Sequence, residues 1–242
     1  MHDKTTDDKI ELRNAVVCSV LLTLLPWSVH ILSAVFSLQL KQYGLQPLEP
    51  KGLIGIFTMP LVHSDWGHLI SNTPALLLLV FGLFLFYKRG AWRILLYLYI
   101  MSGLFTWFMG RSSTHIGASG LVYALAAFHF LSGVIKKIPR QRAFALLVAF
   151  LYGGFVWAFF PTLYIGTSIS WEGHLSGLFA GIILAFYFRG EGPEPPVCPF
   201  IEEDEVTDEK DVFWNPSAED EMVSGIFMSG TIGNMNNYKR SY

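Results

Sequence analysis

Six apolar runs, each close to the thickness of a bilayer, leave this chain few folds to choose from. They cover roughly Ala15–Leu38, Leu69–Tyr87, Trp92–Met109, Ser119–Ile135, Ala143–Phe160 and Trp171–Phe188. At about 1.5 Å of rise per residue, each run approaches the roughly 30 Å hydrocarbon core. Inside lipid every backbone N–H and C=O must find its partner within the protein, so helices are the expected form. A soluble domain of 242 residues could bury a good core without such runs. The expected fold class is therefore an all-α membrane protein with a bundle of six transmembrane helices. Three parts are expected: a short N-terminal segment at 1–13, the six-span domain at 14–188, and a tail at 189–242.

The positive charges orient the spans. One side collects Lys4, Lys9, Arg13, Lys88, Arg89, Arg93, Lys136, Lys137, Arg140, Arg142 and Arg189; the other collects Lys41, Lys51 and Arg111. By the positive-inside rule both termini lie in the cytoplasm, and spans two, four and six run inward from the outer face. The start of the chain mixes acid and base and leads into a run too long for a signal-peptide core, which reads as an uncleaved first span. Cys18 and Cys198 fall in different phases, so no disulfide framework is expected. There is no broad basic surface, and nucleic acid is set aside as a partner.

Two connections stand out. The loop 39–67 is long and partly apolar (Leu53, Ile54, Ile56, Phe57, Met59), which points to an interfacial position against the bundle. The tail begins GEGPEPPVCP and becomes acid-rich at Glu202–Asp211, a composition expected to remain disordered. A short partner-binding segment at Val223–Met228 is the second reading of that tail.

Polar side chains inside membrane spans are costly and usually face the bundle interior. Here they cluster by topology. His68 and Asn72 open span two, Ser119 and Tyr123 open span four, and His174 opens span six, so all lie at one depth near the outer face. Each pair is four residues apart and shares a helix face. Gly173, Gly177 and Gly181 form a stripe of small residues that permits close approach of two helices. If that stripe packs on span four near Gly120, His174 reaches Ser119. Span four has 17 residues from Ser119 to Ile135, about 25 Å, so Ser119 is expected below the outer surface, beside a wet cavity.

This set suits acyl transfer. A serine hydroxyl needs a neighbouring base, and an imidazole titrating near neutral pH is the natural one. The Asn72 amide, a His68 N–H and the Ser119 backbone N–H could stabilise an oxyanion. Glu172 sits two residues before His174 and so points to another helix face; it reads as an N-terminal helix charge or a local hydrogen-bond partner, leaving a Ser–His dyad. Tyr123 could pack under the His174 ring. A loop hydrogen-bonding role is expected for His63, and no role is assigned to His30, His115 or His129. No metal-binding pattern of histidines and acids is present.

These residues resemble those of the rhomboid intramembrane serine proteases. His68-Leu-Ile-Ser-Asn72 is similar to their span-two HxxxN, Gly117-Ala-Ser119-Gly120 with Tyr123 to their span-four GxSG, and His174-Leu-Ser-Gly177-Leu-Phe-Ala-Gly181 to their span-six HxxGxxxG. The resemblance covers about residues 14–188 and implies a rhomboid-like bundle with Ser119 and His174 catalytic. It further implies that His68, Asn72 and Gly117 serve the oxyanion, that Tyr123, His63, Gly177 and Gly181 support the site, and that no cofactor takes part. His63 matches an extra histidine often found before HxxxN. Substrates would be membrane-spanning proteins cut near their outer ends, and the membrane, with its lipid, would be a prokaryotic plasma membrane. The Trp-Arg pair typical of many members' first long loop is absent from 39–67. A catalytically inactive rhomboid-like protein that grips membrane helices is the alternative, and a transporter using the same polar cluster is a third. The oligomeric state is not legible.

Overall fold

The computed structural model describes residues 4–153 and 170–193. They form helices α1 (Lys4–Val35), α2 (Gly55–Thr58), α3 (Trp66–Tyr87), α4 (Ala91–Met109), α5 (Ser119–Lys136), α6 (Pro139–Tyr152) and α7 (Trp171–Tyr187). Among the described residues there is no strand beyond one isolated antiparallel bridge between Leu45 and His115. The protein is an all-α membrane bundle, as its apolar runs require. α1, α3, α4, α5 and α7 match expected spans one, two, three, four and six within a few residues, except that α1 starts well before its apolar run. α6 covers the first half of expected span five. The remainder of that run, and the tail from residue 194 on with its expected disorder and its Val223–Met228 segment, lie outside the described residues.

By length and apolarity, α1 from Asp8, the run Trp66–Met109 and α5 are each able to cross a membrane. In that second run a 3-10 turn at Lys88–Gly90 joins α3 to α4. α7 has 17 residues, about 26 Å of helix.

α5 occupies the centre. It packs most extensively on α7 and also meets α6, α3 and α4, while α1 lies on α3. Val122, Leu125 and Phe128 of α5 are fully buried with Leu79 and Leu83 of α3 and Ile94 and Leu98 of α4. In contrast, Leu21, Leu24 and Val35 of α1 and Leu146 and Phe150 of α6 are exposed. In a membrane protein such a belt faces lipid. His129, buried on α5, hydrogen-bonds the Leu79 carbonyl at 2.9 Å and so ties α5 to α3.

Local chemistry sets the helix starts near the site. Asp65 caps α3, its Oδ1 accepting from the His68 backbone N–H at 2.9 Å. Ser170 caps α7 in the same way, accepting from Gly173 N–H at 3.1 Å. The long first loop is built from 3-10 turns at Leu40–Tyr43 and Pro50–Ile54 followed by α2. Leu45, Ile56 and Met59 bury against Leu104 and Trp107, while Leu48, Leu53, Ile54 and Phe57 remain exposed. One face of the loop is thus docked on the bundle and the other carries the apolar residues expected at a membrane interface.

Candidate active site

The run 110–118 between α4 and α5 is non-helical, and it is held from both sides. Leu45 and His115 exchange backbone hydrogen bonds of 2.9 and 2.8 Å, and Gly117 N–H donates to the Met59 carbonyl at 2.8 Å. Gly117 has φ +108°, a conformation that suits glycine alone. A Cβ there would also overlap the His68 ring, so glycine is required twice over. The chain then turns into α5 with Ser119 as its first residue. The orphan N–H groups of that first turn lie beside the serine, where they favour negative charge.

His174 lies in the first turn of α7, and its Nε2 is 3.0 Å from Ser119 Oγ. The Nδ1 of the same ring is buried and has no hydrogen-bond partner among the described residues. Tyr123, one turn along α5 from Ser119, stacks on the imidazole with ring centroids 4.3 Å apart and planes 11° from parallel. Close helix approach makes this possible. A Cβ on Gly177 would overlap the Gly120 carbonyl, and one on Gly181 would overlap the Ala124 carbonyl. The third glycine of the stripe acts otherwise: a Cβ on Gly173 would meet Ser170 Oγ at 3.0 Å, away from α5. Its carbonyl, however, faces Gly120.

α3 brings the remaining polar groups. Asn72 is buried, and His68 is half-buried with its ring against Gly117. Asn72 Nδ2 donates to His63 Nε2 at 3.3 Å, and Ala118 N–H donates to the same nitrogen at 3.3 Å. With two donors aimed at it, Nε2 must be bare and the ring proton must sit on Nδ1. Burial, with His68 close by, pushes the His63 pKa down to about 4, which keeps this ring neutral.

A family model for the Rhomboid domain matches residues 50–191, a span that contains α2 through α7 and every polar group above. The chain belongs to the rhomboid family. Relatives include uncharacterized proteins of Mycobacterium bovis and Mycobacterium tuberculosis. Each is 34% identical over 165 residues, covering 65% of this chain and 68% of its own. An uncharacterized protein of Mycobacterium leprae is 30% identical over 165 residues, 65% of each chain.

This rhomboid carries a second polar cluster that the sequence did not reveal. Glu172 is buried at 5% exposure, and its Oε1 lies 3.4 Å from Arg111 Nε. His115, also buried, places Nδ1 2.5 Å from Ser170 Oγ and Nε2 3.0 Å from the Arg111 carbonyl. Nothing in the spacing of Arg111 and Glu172, or of His115 and Ser170, more than fifty residues apart in each case, foretells these contacts. The cue was residue type alone, since a glutamate in a membrane helix needs a partner.

Proposed function

We propose that this rhomboid is an intramembrane serine endopeptidase that hydrolyses peptide bonds of membrane-spanning proteins through a Ser119–His174 dyad. The observation that carries the reading is the 3.0 Å separation of Ser119 Oγ and His174 Nε2, within the reach needed for proton transfer. Nε2 accepts the hydroxyl proton as Oγ attacks the scissile carbonyl carbon. The proton is then given to the leaving amine as the C–N bond breaks, leaving an acyl-serine ester. Water, deprotonated by the same nitrogen, attacks the ester carbon, and the proton passes from Nε2 to Ser119 Oγ as the acyl C–Oγ bond breaks, releasing the acid and the free serine. The Nδ1 of His174 supports a dyad, since among the described residues no carboxylate hydrogen-bonds to it.

The carbonyl oxygen becomes negative on attack and needs donors already in place. An Asn side chain has two N–H donors. In Asn72 one is held by His63, so the second can be presented to the oxyanion at fixed orientation. The His68 ring against Gly117 and the free N–H groups opening α5 complete the set. His63 thus supports the site by orienting Asn72 and the Ala118 amide.

The distribution of Lys and Arg favours cytoplasmic termini and a site opening toward the outer face, and the family membership with mycobacterial relatives favours a place in a prokaryotic plasma membrane. Substrates would then enter laterally from the bilayer and be cut near their outer ends.

The test is cleavage of a single-span test substrate by the purified full chain in detergent, with parallel labelling by a fluorophosphonate. Wild type should cleave and label. Ser119→Ala and His174→Ala should do neither while retaining the wild-type melting profile. An unreactive wild type would leave the inactive helix-binding reading in its place, and robust proteolysis by either variant would overturn the dyad.

A further inference from the structure

The glycine seam fixes α7 against α5 at Gly177 and Gly181, yet His174 sits above both, nearer the outer end. A helix pinned at two points can still tilt at its tip. The tip here is held by four side chains that take no part in the chemistry proposed above.

We propose that Arg111 and His115 clamp the first turn of α7 through Glu172 and Ser170, and that this clamp is the positioning device that holds the His174 ring at Ser119. The inference rests on the dyad reading. Its geometry forms an unbroken chain. The Arg111 carbonyl can only accept, so His115 Nε2 carries the ring proton and donates to it at 3.0 Å. Burial pushes the His115 pKa down, and a neutral ring leaves Nδ1 as an acceptor. Ser170 O–H donates to that Nδ1 at 2.5 Å, and Ser170 Oγ in turn accepts from Gly173 N–H at 3.1 Å. Every donor in this relay has an acceptor, and it ends one residue before His174.

The ion pair acts in parallel. A buried carboxylate is costly unless a cation meets it. Glu172 has one oxygen facing Arg111 at 3.4 Å, and among the described residues its other oxygen has no hydrogen-bond partner. Arg111 therefore fixes where Glu172 can sit, and Glu172 is two residues from the base. Both anchors, Arg111 and His115, belong to the same run that carries Gly117 and Ala118 into Ser119. That run is itself tied to Leu45 and Met59. One short segment thus sets the position of the nucleophile and, through the clamp, the position of the base.

Arg111, His115, Ser170 and Glu172 are positioning residues, so their loss should change turnover more than substrate binding. A displacement of about 1 Å at a reacting pair can cost on the order of a hundredfold in rate. The experiment compares wild type with Glu172→Gln, Arg111→Gln, the double variant and Arg111→Lys, all as full chain in detergent. Each Gln variant should lower kcat and fluorophosphonate labelling by roughly ten- to a hundredfold, with KM within about twofold. The double variant should be no worse than either single one, as for residues that act as one unit. Arg111→Lys should recover most of the rate. Amide hydrogen exchange provides an independent reading: the Gln variants should exchange faster across 171–176, with α3 and α4 unchanged.

Wild-type turnover in well-folded Gln variants, additive losses in the double variant, or a change confined to KM would each overturn the clamp while leaving the dyad standing. A wild type that neither labels nor cleaves would instead remove the dyad reading and this role with it.

Discussion

The Tyr123 ring lies flat on the His174 imidazole, 4.3 Å away and 11° from parallel. Because Tyr123 is four residues after Ser119 on α5, one helix supplies both the nucleophile and the floor beneath its base. The face of an aromatic ring also favours a cation above it, which suits an imidazolium formed during proton transfer. Tyr123→Phe keeps the face and should hold kcat within about threefold of wild type, whereas Tyr123→Ala should lose about ten- to a hundredfold in kcat with little change in KM. Steady-state cleavage measures both. A Phe variant as damaged as the Ala variant would assign the effect to the hydroxyl rather than the stacked ring.

The α5–α7 seam is tighter at one contact than at the next. A Cβ on Gly177 overlaps the Gly120 carbonyl, whereas a Cβ on Gly120 would meet the Gly173 carbonyl at a tight but bearable 3.2 Å. Backbone cannot rotate aside as a side chain can, so Gly177→Ala should cost about 3 kcal/mol or more and Gly120→Ala about 1 kcal/mol. Gly177→Val should be worse again and should abolish cleavage. Thermal melts in detergent rank the three. Equal melting of the two alanine variants would show that Gly177 and the Gly120 carbonyl are not in close contact.

Much of this was legible beforehand because a bilayer removes alternatives. Once lipid forces helices, the order of spans alone places His68, Asn72, Ser119 and His174 at one end, and the Gly177–Gly181 spacing selects the helix face that meets α5. What the sequence hid depends on distance in space. Arg111 and Glu172 read as an outer-loop charge and a helix-end charge; only the fold of 110–118 over the tip of α7 makes them a pair. In the Gly173–Gly177–Gly181 stripe all three backbones approach α5, but a Cβ at Gly173 would meet its own cap, Ser170, so only Gly177 and Gly181 must be small because of α5. His115 and His129 had no visible partner because each one bonds a residue far away in the chain, Ser170 for one and the Leu79 carbonyl for the other.

Gly117 offers a test of the site that spares the helices. Its φ of +108° would strain any side chain, and a Cβ would push directly into the His68 ring. Gly117→Ala should therefore shift His68 and the Ala118 amide while leaving α3, α5 and α7 intact. Loss of one oxyanion donor typically costs a hundred- to a thousandfold, so turnover should fall by about that amount with an unchanged far-ultraviolet circular dichroism spectrum. Normal turnover would remove this segment from the catalytic machinery.

His63 makes stability depend on pH, and the sign follows from where its proton binds. Unfolded, the ring titrates near 6.5; folded, burial and the neighbouring His68 bring it to about 4. Between those values the unfolded chain holds the extra proton, so stability rises with pH across the window and levels off above it. The span corresponds to about 3 kcal/mol, fully present at neutral pH and lost as the pH falls from about 6.5 to about 4. The physical event is protonation of Nε2, which would turn an acceptor into a donor facing the Ala118 N–H and the Asn72 amide. His115 is pushed down by burial too and adds a slope of the same sign, so the informative quantity is the difference between wild type and His63→Gln. That variant should lose stability at pH 7.5 and show a shallower decline on acidification. Parallel curves for the two proteins would mean that His63 does not carry this proton, and the assignment of Nε2 as the acceptor for Asn72 would fail with it.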